Sequence, residues 1–367
     1  MPSTKSLEKS GGLPDMISHP CSLVSRMQNE DPVGSAAVHR RYLLLEVPLP
    51  WEYHVQDSRY FPKGLEAMLE ECRANAAPFR FLGFDPGMFT SPEGCRRLMF
   101  FERPEVPTAF FRKQEYIVKE NELYEVIEAL LMQRELPSYL ENIASITELD
   151  YAAAAEELSQ RLPDPGYLLA YPGTRDLFVC SHGRHDLCCG KFGAPMYQEI
   201  FDRYVQPFAA SEDSSSLPFR VWRTSHFGGH RHAPTILDLP EGRYWAQLKP
   251  EMLDTLLLRK GDFASIARHY RGWGGVPAFA QAVEREAFKR EGWQWIHYDK
   301  QTAMLEEEET RAVVRIDYRS PDGTVSGRYE AEVRTGEPKE VGGCGNAPTL
   351  ARQLKVVSIH KQPLIQS

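Results

Sequence analysis

Two short runs, FVCSHGRHDLCCGKFG (178–193) and RTSHFGGHRHAP (223–234), hold three of the chain's seven cysteines and five of its eleven histidines. Each is fed by a strand-type segment, LFVC and FRVWRTS. If both runs serve one centre, the fold has to bring the ends of two separate strands to one point. Cysteine and histidine clustered in a reducing compartment point to metal or redox chemistry.

The 367-residue chain as a whole has an ordinary globular composition. Hydrophobic residues make up 42% and charged residues 26%, enough for a real core. At about 150 residues per domain, the length predicts two or three domains. A net charge of −8 argues against a broad nucleic-acid surface, which needs a basic face. No run approaches the roughly 18 apolar residues of a membrane span. The opening MPSTKSLEKSGGLPDMISHP lacks the apolar centre of a signal peptide. A cytoplasmic chain with reduced thiols is expected. The odd count of cysteines, scattered as Cys21, Cys72, Cys95, Cys180, Cys188, Cys189 and Cys344, speaks against a secreted disulfide framework.

Residues 1–30 read as a disordered tail. Strand-type runs at 40–51, 79–85, 96–104 and 114–120, with helical spacing at 64–76 and 122–133, predict an α/β N-terminal domain over 31–162. Residues 134–165 read as helical and break at LPDPG, a domain join. A second unit over 163–250 holds strands YLLAY, LFVC and FRVWRTS, and a helix at 194–205 with Pro195 in its first turn. It also carries an acidic surface loop, SEDSSS, and a hairpin at 234–248 turning at Pro240-Glu241-Gly242. The mixed helix/β C-terminal region, 251–367, reads as helices at 251–273 and 277–293. Two strands within 311–335 and a last strand at 354–359 follow. Trp222, Trp245, Trp293 and Trp295 read as core.

Cys180 ends a strand and Cys189 precedes a helix, with eight residues between them. That polar, Gly-containing segment is a loop able to fold back and turn both thiolates to one centre. Adjacent side chains point apart, so Cys188 and Cys189 do not easily share one ion. Cys189, nearer the strand-to-helix corner, is the chosen ligand, and Cys188 reads as a small buried hydrophobe. His226 and His230 are four residues apart, but Gly228 and Gly229 each cost about 1 kcal/mol in a helix. A loop is the better reading, with the glycines letting backbone approach a bound centre. His182, His185 and His232 read as exposed loop residues, and Cys344 as structural.

Two thiolates and two imidazoles suit tetrahedral zinc or a 2Fe–2S cluster with two histidine ligands, and ligand chemistry alone leaves both open. No dinucleotide loop or P-loop is present. A thioredoxin-like thiol oxidoreductase would lack its usual Cys-x-x-Cys pair. A zinc-stabilised interaction module is the other alternative.

The pattern resembles the Cys-x8-Cys…His-x-Gly-Gly-His signature of the sucrase/ferredoxin-like family, with Cys180, Cys189, His226 and His230 in its four positions. Residues 21–51, YRGW (270–273) and GGCG (342–345) are similar to the family more weakly. The resemblance implies an α/β (α+β) fold whose second unit is a thioredoxin-like ferredoxin domain. It implies a 2Fe–2S cluster held by those four residues. It also implies an electron carrier rather than a stand-alone enzyme, working in redox homeostasis with donor and acceptor proteins that the sequence does not identify. No carboxylate pair for glycoside hydrolysis stands out. Imidazoles in place of thiolates make such a cluster less negative and raise its potential to roughly −150 to +300 mV. Proton binding at a ligand's free nitrogen would make transfer pH-dependent. Arg223 and Arg231, flanking the histidine pair, would favour reduction if they face it.

Overall fold

The structure is a computed structural model that describes residues 18–140, 175–209 and 219–363. The tail to residue 17, the helical reading beyond residue 140, the YLLAY strand and the SEDSSS loop lie outside the described residues.

The apolar runs become a single large sheet. β1 (Arg41–Glu46) lies parallel to β2 (Arg80–Asp85) and antiparallel to β3 (Cys95–Glu102), and β4 (Arg112–Lys119) pairs with β3. In the second half β5 (Arg175–Cys180) lies parallel to β6 (Phe219–Thr224). β7 (Thr235–Leu239), β8 (Arg243–Ala246) and β9 (Tyr270–Trp273) extend it antiparallel. The halves meet where β2 pairs antiparallel with β6, through Phe84↔Thr224 and Asp85↔Arg223. The order is β4-β3-β1-β2-β6-β5-β7-β8-β9, nine strands in one mixed sheet, and the architecture is α+β.

Every residue of β1 and β5 is buried, as expected of strands covered on both faces. Alternate side chains part to opposite sides. Leu43 and Leu45 pack on α2 (Leu65–Asn75) and α3 (Leu123–Met132). Leu177 and Val179 join a core shared with α4 (Ala194–Ile200), α5 (Leu253–Leu257) and α6 (Ala278–Glu291). The other face, with Tyr42, Leu44, Phe84, Phe178, Cys180 and Trp222, forms its own cluster. The sheet rolls around that cluster. Three strands separate β4 from β6 in the sheet order, yet Arg220 of β6 donates to Glu115 of β4 at 2.8 and 2.7 Å. Cys180 stands at the end of this inner lining.

The C-terminal part is a four-stranded antiparallel sheet of β10 (Asp299–Glu307), β11 (Arg311–Arg319), β12 (Ser326–Thr335) and β15 (Leu354–Gln362). Ala312, Val314, Ile316 and Tyr318 alternate inward into the core shared with α6. β13 (Lys339–Gly343) and β14 (Asn346–Ala351) form a separate hairpin.

Three expectations change. Residues 134–140 are not helical, because α3 ends at Met132 and Gln133 closes it at φ 56°. The 251–273 segment is not one helix. α5 stops at Leu257, and Arg259 and Gly261 take positive φ of 54° and 79°. Asp262 then caps a new turn by accepting from the Ala264 amide at 2.9 Å, and YRGW is strand β9. The tail reading fails from residue 21, where α1 (Cys21–Met27) forms and buries Cys21, Ser22, Val24 and Ser25. Its hold is polar as well as apolar, since Ser22 Oγ and Arg26 Nη2 both donate to the Ala233 carbonyl. Trp222, Trp245 and Trp295 are buried as expected, while Trp293 is partly buried. Among the described residues, no helix is long and apolar enough to cross a membrane.

Candidate metal centre

β5 and β6 are parallel neighbours, with Cys180 paired in register to Thr224. Their carboxyl ends release the two ligand-rich loops side by side, the usual place for a site in a parallel pair. After Cys180 the chain turns and re-enters a helical run through a π-helical segment, Cys189–Gly193, that leads into α4. A Cβ on Gly193 would collide with the carbonyl oxygen of Cys180. Only glycine lets this turn sit over the strand end and set Cys189 beside Cys180. Gly193→Ala should therefore destabilise the fold by about 3 kcal/mol, at the upper end of overpacking costs. Denaturant unfolding checks it, and a shift below about 1 kcal/mol would show that the turn can move away.

His226 Nδ1 lies 3.8 Å from Cys180 Sγ and 3.5 Å from Cys189 Sγ. The three donor atoms fall within 4.8 Å of one another. His230 is close but not in that group. Its ring centre is 6.1 Å from that of His226, and its Nδ1 faces Asp186 Oδ2 at 2.9 Å and Cys21 Sγ at 3.0 Å. Gly228 and Gly229 turn the loop between the two rings at φ 92° and 79°. The close approach at Gly229 is to the Arg271 guanidinium, which a Cβ would overlap.

Cys188 and Cys189 point apart. Cys189 joins Cys180, while Cys188 packs against Cys21 at 3.3 Å and Cys344 at 3.4 Å between sulfurs. These thiols also lie within 4.8 Å of one another. The sequence reading missed this second group, because nothing in the spacing ties residues 21 and 344 together.

The electrostatics follow from burial and sharing. Burial pushes the Cys180 thiol up, but hydrogen bonds from Cys189 and His226 outweigh it and hold Cys180 well below the usual thiol range. Cys189 is pushed up, first by its hydrogen bond to Cys180 and then by burial. In the second group Cys188 is lowered to about 6, chiefly by its hydrogen bond from Cys21. Asp186 raises His230.

The expected basic neighbours are not the ones in place. Arg223 lies over the Tyr197 ring at 4.7 Å, and Arg231 Nε donates to Glu30 at 2.9 Å. Arg80 and Arg271 stand behind the loop instead. Arg80 Nη2 donates to the His226 carbonyl at 2.8 Å, and Arg271 Nη1 to the Gly228 carbonyl at 3.3 Å. Burial lowers Arg271 to about 10. His182 and His232 are buried rather than exposed. His182 Nε2 meets the Glu52 carbonyl at 2.6 Å. His185 is half-buried, stacked on His226 at 4.3 Å and on Tyr53 at 4.8 Å. These rings line a cleft of about 250 Å³ with His39, His54 and Arg80.

An α+β protein with thiol and imidazole donors gathered at the ends of parallel strands has groups compatible with metal binding. A family model described as sucrase/ferredoxin-like matches residues 32–272, a span holding both loops, and the chain belongs to the sucrase/ferredoxin-like family. No curated protein and no solved structure matched the chain.

Proposed function

We propose that the chain is an electron-transfer protein that holds a 2Fe–2S cluster through Cys180, Cys189, His226 and His230. We place the cluster in a thioredoxin-like half of the chain over 163–250, next to the α/β half over 31–162. The observation that carries the reading is the convergence of Cys180, Cys189 and His226 donors within 4.8 Å, beside the loop that next supplies His230. The donor set fits the group. Both thiols are buried beside His226 Nδ1, and hydrogen bonds from Cys189 and His226 already favour the thiolate form of Cys180, the form that ligates. Asp186 occupies Nδ1 of His230, leaving Nε2 as the ligating nitrogen, in the manner of metal-bound histidines oriented by a carboxylate. When bound, the cluster supplies a one-electron couple.

The chain's own residues do the rest. Arg80 and Arg271 fix the His226 loop through its carbonyls and set positive charge behind it. The aromatic lining of Phe84, Phe178 and Trp222 keeps the sulfur side dry. The stacked rings of His226, His185 and the exposed Tyr53 lead outward to the surface where donor and acceptor proteins would dock. All seven cysteines are free, which supports a reducing compartment such as the cytoplasm.

The short donor separations also favour a second reading, one tetrahedral zinc on the same four residues. Anaerobic purification followed by iron and sulfide analysis and electron paramagnetic resonance separates the two. The expected result is about two irons and two labile sulfides per chain, with a reduced-state signal after dithionite. Iron-free, colourless protein overturns the electron-transfer reading.

A further inference from the structure

We propose that Cys21, Cys188 and Cys344 form a second metal site, distinct from the first, that takes a thiophilic d10 cation of the Zn²⁺ kind. Two of the three residues, Cys21 and Cys344, lie outside the span matched by the family model, 32–272. Cys188 sits 3.3 Å from Cys21 and 3.4 Å from Cys344, sulfur to sulfur. A disulfide would need about 2.05 Å. A tetrahedral ion with Zn–S of about 2.3 Å holds its sulfurs roughly 3.8 Å apart, a few tenths of an ångström from the spacing present.

The backbone is built to gather these sulfurs. Cys344 adopts φ 55°, between Gly343 at φ 102° and Gly345 at φ 84°. A left-handed cysteine is uncommon and carries backbone strain. The turn is fixed by docking on α1, because the Cys344 amide donates to the His19 carbonyl at 2.8 Å. The Cys21 amide returns a hydrogen bond to Cys344 Sγ at 3.2 Å, which stabilises a thiolate there. A Cβ on Gly343 would press on His19 and Cys21 backbone, so the approach demands glycine. The neighbouring Cys188–Cys189 pair divides its sulfurs between two centres, as side chains pointing apart require.

Cys344 is half-buried and opens on a cavity of about 660 Å³ lined by Ser18, Asp186, His230 and Asn346. Cys344 is the one of the three thiols that lines it, so water from the cavity would complete the shell on that side. The bound ion would tie the N-terminal helix, the core loop and the C-terminal hairpin together.

Elemental analysis of the full-length, reduced protein tests this. The expected result is about one zinc per chain in addition to the metal of the first site. That zinc is retained in Cys180→Ser and lost in Cys344→Ser and Cys188→Ser. Cobalt loaded in its place should show a strong thiolate charge-transfer band that disappears in the same two variants. Cys344 is partly exposed, so its serine variant keeps the fold, and far-ultraviolet circular dichroism confirms that. Iron content reads the first site separately. Less than a tenth of an equivalent of zinc in the wild type, zinc kept in Cys344→Ser, or a disulfide among the three thiols in reduced preparations overturns the proposal.

Discussion

Cys180→Ser should give a colourless protein with less than about a tenth of the wild-type iron, while His226→Cys should stay coloured and shift its midpoint potential roughly 200 mV lower. The thiolate is the ligating form, and a serine hydroxyl does not ionise near neutral pH. Cys180 is wholly buried at the end of β5, where no water can take the missing place cheaply. His226→Cys keeps a donor in that place but adds one negative charge. Full replacement of two imidazoles by thiolates spans roughly 250 to 700 mV between Rieske and plant-type clusters, and half of that span brackets the roughly 200 mV expected for one replacement. Iron analysis and a spectroelectrochemical titration check both variants. Iron retained in Cys180→Ser removes that residue from the ligand set. An unchanged potential in His226→Cys removes His226.

The strands of the large sheet were legible because each is a short apolar run, and LFVC and FRVWRTS carry their loops to the same end once β5 and β6 pair in parallel. The convergence of Cys180, Cys189 and His226 was legible because these residue types are rare and lie in two short runs. Burial of His182 was not, since it depends on the Glu52 carbonyl, 130 positions away. Nor were Arg80 and Arg271, which reach the His226 loop from other strands, whereas only adjacency in sequence singles out Arg223 and Arg231. The 251–273 segment keeps helical spacing at Leu253, Leu256 and Leu257, and the turn after it rests on Arg259 and Gly261 adopting positive φ. Composition hid α1 as well, because its polar residues make buried hydrogen bonds to Ala233 rather than to water.

The roll of the sheet carries the other large effect. Glu115→Ala should cost about 3–5 kcal/mol, the loss seen when one partner of a buried ion network is removed. Glu115 in β4 takes two hydrogen bonds from Arg220 in β6 and an ion pair at 2.9 Å from Lys113. Arg97 also reaches it. Asp176 in β5 is held by Arg220 Nε at 2.8 Å, by Lys113 at 2.7 Å and by Trp222 Nε1 at 2.8 Å. Without Glu115, buried Lys113 and Arg220 would be left with Asp176, and Arg97 would lose its ion pair. Burial by itself would raise the Glu115 carboxyl, but Arg220, Lys113 and Arg97 hold it well below its ordinary value of 4.5. A group depressed on folding stabilises the native state above its unfolded value and loses that contribution as pH falls through the folded one. Wild-type stability should therefore fall on acidification from about pH 4.5 downward, and the Glu115→Ala protein should fall less steeply there. Urea unfolding at neutral and acidic pH measures both. Glu70→Ala, which breaks only the exposed pair with Arg73, should change stability by no more than about 0.5 kcal/mol. A Glu115→Ala cost no larger than that would mean that the network contributes nothing to holding the rolled sheet closed.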